Sequence, residues 1–223
     1  MKEVSIAVVG ATGAVGQVFL KILEERRFPA KQIKLLASAR SAGKKMSVNG
    51  TQLTVEETTP SSFKGVDIAF ISVSSEVSRK LAPIALEAGA VVIDDSSAFR
   101  MQPEVPLIVP EVNADDLEEH QGLISIPNCS TTPLVMVLDA LRNLSPVVRV
   151  IADTYQSVSG TGAAAMQELR EQSARALEEW DGTPLSPPLA GQQDGQPRVY
   201  PHQIAFNLLP HIEPFQDNGY TRE

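Results

Sequence analysis

Two features of this sequence could do chemistry: one thiol and one glycine-rich turn. Cys129 is the only cysteine among 223 residues. It stands in Ile126-Pro127-Asn128-Cys129-Ser130-Thr131-Thr132-Pro133. Ser and Thr are good helix N-caps and Pro suits the first turn. Leu134, Val137, Leu138 and Leu141 follow at helical spacing, so a buried helix is expected to begin near Thr132. A thiol at that start faces the positive end of the helix dipole, which favours the nucleophilic thiolate. The bland alternative is a small buried hydrophobe; the polar flanks favour the reactive reading. A single cysteine excludes an internal disulfide and any cysteine-cluster metal site, and no metal is expected.

Gly10-Ala11-Thr12-Gly13-Ala14-Val15-Gly16 is the second feature. Small residues let the backbone approach a pyrophosphate, and a helix N-terminus offers unpaired N–H groups to it. The alternative, a tight turn that merely needs glycine, does not account for the buried strand before the loop and the amphipathic helix after it. Enzymes that use NAD place an acidic residue after the second strand, on the ribose 2′-hydroxyl. From Arg26 to Val55 this sequence has none, and its charged residues there are Arg26, Arg27, Lys31, Lys34, Arg40, Lys44 and Lys45. Ser38, Arg40 and Ser41 fall where a 2′-phosphate would sit, so NADP is expected over NAD; a solvated basic loop is the competing reading. Cysteine beside a nicotinamide is the chemistry of aldehydes, through a thiohemiacetal and a thioester.

The elements that must position these residues alternate from the start. Val4 to Val9 reads as a strand buried on both faces. A helix follows with Val15, Val18, Phe19, Ile22 and Leu23 as its apolar stripe, stopped by Pro29. Ile33 to Ala37, Thr51 to Val55, Ile68 to Val73 and Val91 to Ile93 read as further strands, with a helix near Glu76 to Ala88 closed by Gly89. This pattern predicts an α/β fold with a doubly wound parallel, Rossmann-type sheet. The character changes near Pro127, which suggests domains at 1–127 and 128–223. Val147 to Tyr155 reads as a strand and Gly162 to Trp180 as a helix, and the Pro-, Gly- and Gln-rich residues 181–202 as a long excursion.

Hydrophobic residues make up 43% of the chain, enough for a sizeable core. A net charge of −8 argues against nucleic acid as a partner. No apolar run approaches the roughly 18 residues a membrane span needs, and the N-terminus does not read as a signal peptide. The expected location is the cytoplasm.

GATGAVG at Gly10 to Gly16, SSAFR at Ser96 to Arg100, VPEVN at Val109 to Asn113, PNCSTTP at Pro127 to Pro133 and TYQSVSGTG at Thr154 to Gly162 together resemble the aspartate-semialdehyde dehydrogenases. The likeness runs in order to IAFNLLPHI at Ile204 to Ile212. It implies reductive dephosphorylation of L-aspartyl-4-phosphate by NADPH, on the route to lysine through diaminopimelate, threonine and methionine. Cys129 would form the acyl-thioester and Gln156 would orient the acyl group. Arg100 and Asn128 would hold phosphate. Gly10 and Thr12, Gly13, Ala14 and Val15 would contact NADP with Arg40 and Ser41, and Ser159 and Gly160 would lie nearer the nicotinamide. Without the resemblance, Arg100 reads as a surface residue and Gln156 is ambiguous.

The likeness further implies that the second domain is part of an α+β substrate and dimerisation domain, in a homodimer or homotetramer. Glu223 matches the residue for the substrate amino group. The family chain is longer by roughly half, with a lysine, an arginine and the catalytic histidine beyond that point. The 223 residues alone are therefore expected to be inactive or nearly so. His120, His202 and His211 stand outside the histidine's motif and read as ordinary loop or helix-end residues. Two alternatives stay open: N-acetyl-glutamyl-phosphate reductase, whose substrate is one methylene longer, and a non-catalytic paralogue or dimerisation module.

Overall fold

A computed structural model of the chain describes residues 3–178, 180, 182, 199–210, 212 and 215–219. The chain falls into two units, Met1–Tyr155 and Gln156–Glu223. At the centre of the first lies β1 (Val4–Val9), between β2 (Ala30–Ala37) and β5 (Ile68–Ile71), both parallel to it. Its residues alternate between two apolar faces. Ile6 and Val8 pack with Leu35 and Phe70, whereas Ala7 and Val9 pack with Ile71 and Val92. A strand covered on both sides needs such an unbroken apolar run.

Outward from this centre run β6 (Val91–Asp94) and β7 (Leu123–Ser125) on one side, β4 (Thr51–Glu57) and β3 (Lys45–Val48) on the other. The order is β3-β4-β2-β1-β5-β6-β7, parallel throughout except for the β3–β4 hairpin. α1 (Ala14–Glu25) joins β1 to β2 and packs on the Ile6 face; α2 (Ser75–Glu87) joins β5 to β6 and packs on the Ala7 face. The sheet is doubly wound, as expected, and its strand order reverses between β1 and β5, where such folds open a crevice. At the far edge, Ser125 donates to the Pro106 carbonyl at 3.0 Å and accepts from the Ile108 N–H at 2.9 Å, so residues 106–108 run alongside β7.

Four expectations change. The stripe on α1 is rotated: Val15, Val18 and Ile22 are exposed, and Gly16, Leu20 and Leu23 are buried. Gly16 fixes that rotation, because a Cβ there would stand 2.3 Å from the Gly10 carbonyl oxygen. With Gly16 turned inward, positions four and seven residues on follow it onto the sheet. Phe19, at the margin of that face, stacks on Phe70 at 4.0 Å.

The second change is β3, which pairs with β4 through Asn49-Gly50, both at positive φ. Asn-Gly between two short strands is a strong hairpin signal, and it was there to read. Third, α3 (Pro110–Asn113) and α4 (Thr131–Arg142) contain no buried residue, so the helix after Cys129 is not the buried one expected. Fourth, Val147 to Tyr155 is not a strand, and Val148 is 94% exposed. Apolar, β-branched sequence forms a ladder only where a neighbour supplies hydrogen bonds, and no described residue pairs with this segment.

In the second unit α5 (Ala163–Glu178) forms where expected. Its buried Gln172 accepts from the Ile204 and Ala205 N–H groups at 2.8 and 3.1 Å, and Glu168 accepts from Val199 N–H at 2.6 Å. Most of the excursion at 181–202 lies outside the described residues, as do His211 and Glu223. No helix among the described residues is long and apolar enough to cross a membrane.

Candidate active site

The turn after β1 is built for close approach. Gly10 has φ +87° and lies against the residue after β5: a Cβ there would meet the Ser72 carbonyl oxygen at 2.1 Å. Gly13 donates its N–H to the Gly10 carbonyl at 2.9 Å and leads in extended backbone into α1. The result is a concave run of main chain ending at a helix N-terminus, whose first N–H groups have no partner within the helix. Thr12 reaches the end of β2, where its hydroxyl donates to Ser41 at 3.4 Å. Ser38 to Ser41 form a single tight turn closed by Ser41 N–H to the Ser38 carbonyl at 2.8 Å. Ser41 is buried, while Ser38 and Arg40 are exposed, with the Arg40 side chain open to a ligand.

A second group gathers at the carboxyl ends of β6 and β7. Arg100 is half-buried and donates through Nε to the Ile126 carbonyl at 2.9 Å and through Nη2 to the Asp95 carbonyl at 3.2 Å. Among the described residues no carboxylate forms an ion pair with it. The guanidinium is thus clamped between two strand ends with donors to spare, which is not how a loose surface arginine is held. Cys129, three residues past Ile126, is exposed.

The turn holding Cys129 is shaped by Asn128. Its side-chain oxygen accepts from Ser130 N–H at 2.8 Å and Ser130 Oγ at 2.6 Å, and its carbonyl accepts from Thr131 and Thr132 N–H at 3.0 and 3.1 Å. The start of α4 is therefore satisfied by Asn128 and not by the side chain of its N-cap, Ser130. In the second unit, Ser157 Oγ accepts from Ser159 Oγ at 3.2 Å and opens the short turn Val158–Thr161. Ser159 and Gly160 sit in that turn; Gln156 precedes it and is half-buried. His120 accepts from Gly122 N–H at 2.9 Å, a local role that fits an ordinary loop residue.

Residues 5–120 match the family profile for the semialdehyde dehydrogenase NAD binding domain, and residues 138–223 match the profile for the semialdehyde dehydrogenase dimerisation domain. The chain belongs to the semialdehyde dehydrogenase family. Among semialdehyde dehydrogenases, the aspartate-semialdehyde dehydrogenase of Bacillus subtilis is 49% identical to it, over 98% of this chain and 61% of the relative. Aspartate semialdehyde dehydrogenase II of Vibrio cholerae, solved in complex with ASA, is 40% identical and superposes with a TM-score of 0.87 over 100% of this chain and 63% of its own. An aspartate semialdehyde dehydrogenase of Candida albicans, solved with NADP, is 26% identical with a TM-score of 0.51, over 66% of this chain and 48% of its own. The chain spans about three-fifths of the length of the first two relatives.

One part of this semialdehyde dehydrogenase went unread in the sequence: a pair of carboxylates, Asp94 and Asp95, at the end of β6. Asp94 is fully buried and accepts from the hydroxyls of Ser78 and Ser96. Asp95 accepts from Ser72 Oγ at 3.0 Å. Burial pushes both carboxyls above their ordinary range, against the pull of those hydroxyls and of Arg100. An acidic pair closing an apolar run was the available signal.

A carboxyl raised in the folded state binds its proton more tightly there than in the unfolded chain. Its contribution to stability is full below about pH 4, the unfolded value, and is lost as pH rises through the folded one. Asp95→Asn removes that titration. The melting temperature of the variant relative to the natural protein is therefore expected to climb between pH 4 and pH 7. A gap that stays constant, or shrinks, in thermal melts across that range would refute the assignment.

Proposed function

We propose that these residues supply the NADP cradle, the nucleophile and the phosphate grip of an aspartate-semialdehyde dehydrogenase, which converts L-aspartyl-4-phosphate to L-aspartate 4-semialdehyde. The observation that carries this reading is the exposed Cys129 three residues past Ile126, whose carbonyl clamps Arg100, in a sheet whose β1 turn is shaped for a pyrophosphate. The names of the B. subtilis and V. cholerae relatives support the substrate, and that of the C. albicans relative supports the cofactor.

The residues fit NADP. Gly10 and Gly16 let the β1 turn, the end of β5 and α1 pack closely enough to form the cradle, and Thr12 in that turn reaches Ser41, with Ser38 and Arg40 in the same short turn. When bound, NADPH supplies the hydride. By the resemblance, Thr12, Gly13, Ala14 and Val15 would hold the pyrophosphate end, and Ser159 and Gly160 would attend the nicotinamide. The Cys129 thiolate attacks the acyl carbon of aspartyl phosphate, the C–O bond to phosphate breaks, and an acyl-thioester forms on Sγ. Arg100, with Asn128, receives the departing phosphate dianion. Gln156 orients the acyl group, and Glu223 takes the substrate amino group. Reduction of the thioester leaves a thiohemiacetal on Cys129, whose collapse restores the thiol and frees the aldehyde. The catalytic half begins at Asn128 in this reading. The protein works as a homodimer or homotetramer in the cytoplasm, where its product enters lysine, threonine and methionine synthesis.

The direct test is NADPH consumption with L-aspartyl-4-phosphate by the native gene product, set against N-acetyl-glutamyl phosphate, the 223 residues alone being expected to turn over little or nothing. Preference for the acetylated substrate, or binding of neither cofactor nor phosphate, would sink the proposal. Cofactor choice has its own test. Arg40→Ala removes a charge-assisted contact to the 2′-phosphate, so the Kd for NADPH is expected to rise about 10- to 100-fold. The Kd for NADH should stay within about twofold, since it has no 2′-phosphate to lose. Equal losses for both would show that Arg40 does not read the phosphate.

A further inference from the structure

A seam of hydroxyls and carboxylates that the proposed reaction leaves unused crosses the carboxyl ends of β5 and β6. Ser72, just past β5, presents its carbonyl to the cradle at Gly10. Its hydroxyl donates to Asp95 Oδ2 at 3.0 Å, and the Asp95 carbonyl in turn accepts from Arg100 Nη2 at 3.2 Å. One residue thereby joins the floor of the nucleotide cradle to the arginine. Ser75 with Ser97 at 2.8 Å, and Ser78 with Asp94, tie the same stretch to the first turns of α2.

The Asp95 carboxylate lies close enough for Arg100 to favour its charged form, yet the two make no ion pair. Of the other charged groups nearby, Asp94 is buried and engaged by Ser78 and Ser96, and Glu76 on α2 is exposed and paired with Lys80 at 2.6 Å. A negative charge held beside an anion-binding guanidinium, but not on it, weakens the attraction an incoming phosphate feels. The brace through Ser72 meanwhile keeps the arginine in place. A reaction that releases inorganic phosphate gains from both, because the dianion must be gripped as it leaves and then let go.

We propose that Asp95 is a positioning residue that sets how tightly the Arg100 site holds phosphate, by bracing the arginine's loop through Ser72 and opposing its charge. The inference rests on the reading of Arg100 as the phosphate grip. The test is calorimetric titration of inorganic phosphate into the natural protein, Asp95→Asn and Ser72→Ala, with the Kd for NADPH measured alongside. Asp95→Asn keeps an acceptor for Ser72 and loses the charge. It is expected to bind phosphate about 3- to 10-fold tighter, with the gain shrinking as salt is raised. Ser72→Ala keeps the charge and loosens the brace, so phosphate should bind several-fold weaker. A merely structural Asp95 would weaken phosphate binding in both variants. Phosphate affinity in Asp95→Asn that is unchanged or lower overturns the proposal, as does an unchanged affinity in Ser72→Ala should the first variant fail to fold. A natural protein that binds NADPH but no phosphate overturns the reading of Arg100 instead, and this inference with it; the control without variants tells the two failures apart.

Discussion

Cys129→Ser in the native gene product is expected to lower turnover of L-aspartyl-4-phosphate by at least about a thousandfold, with NADPH binding unchanged to within about twofold. The hydroxyl is of similar size and would sit in the same Asn128 turn, so the fold has no reason to respond. What is lost is the anion. A thiol is partly ionised near neutral pH and intrinsically nucleophilic, whereas a serine hydroxyl needs a strong base beside it. His120 is engaged by Gly122 and Asp95 by Ser72. NADPH consumption measures the loss, and alkylation by iodoacetamide followed by intact mass locates the thiol. A serine variant with a tenth of the natural rate would mean that acyl transfer does not pass through this residue.

Gly10→Ala is expected to cost about 3 kcal/mol or more and to abolish measurable NADPH binding. Positive φ contributes roughly 1–2 kcal/mol for any residue with a Cβ. The rest comes from the clash, since the added carbon would meet the Ser72 carbonyl oxygen at 2.1 Å. That neighbour is main chain anchored to β1 by Ser72 N–H to the Val9 carbonyl at 3.0 Å, so it cannot swing aside as a side chain could. Relief requires β1 and β5 to part at the crevice, where the pyrophosphate would lie. At roughly 2–4 °C per kcal/mol, thermal melting should fall by about 6–12 °C. Gly16→Ala is expected to act in the same direction, because its Cβ would stand 2.3 Å from the Gly10 carbonyl oxygen. A Gly10→Ala protein with natural melting and cofactor affinity would show that the turn is not the tight cradle described.

The strand, loop and helix around Gly10 were legible because each is specified locally: a β-branched run, glycines at fixed spacing, an apolar periodicity. Which face of α1 goes inward was not, since Val15, Val18 and Ile22 satisfy the helical period as well as Leu20 and Leu23 do. One close approach at Gly16 decides between them, and periodicity carries no record of it. Val147 to Tyr155 failed for the opposite reason: β-propensity is a property of the segment, but a strand is a property of a pair. At the site, the position of Ser38, Arg40 and Ser41 just past β2 was legible in the sequence. Arg100 was not, because the clamp that marks it is made of carbonyls from Asp95 and Ile126. Asp94 and Asp95 stayed hidden because acidic residues after a strand usually mean water, and here they mean burial.

How the sheet ends bears on behaviour at high concentration. One margin is β3, four residues long, with exposed Lys45 on it and Lys44 just before it. The other is covered by residues 106–108 running beside β7. Short, lysine-bearing or shielded edges are poor templates for strands from another molecule. The parallel sheet, although rich in Val and Ile, is thereby closed at both margins to the edge-to-edge growth that turns such sequences into fibrils.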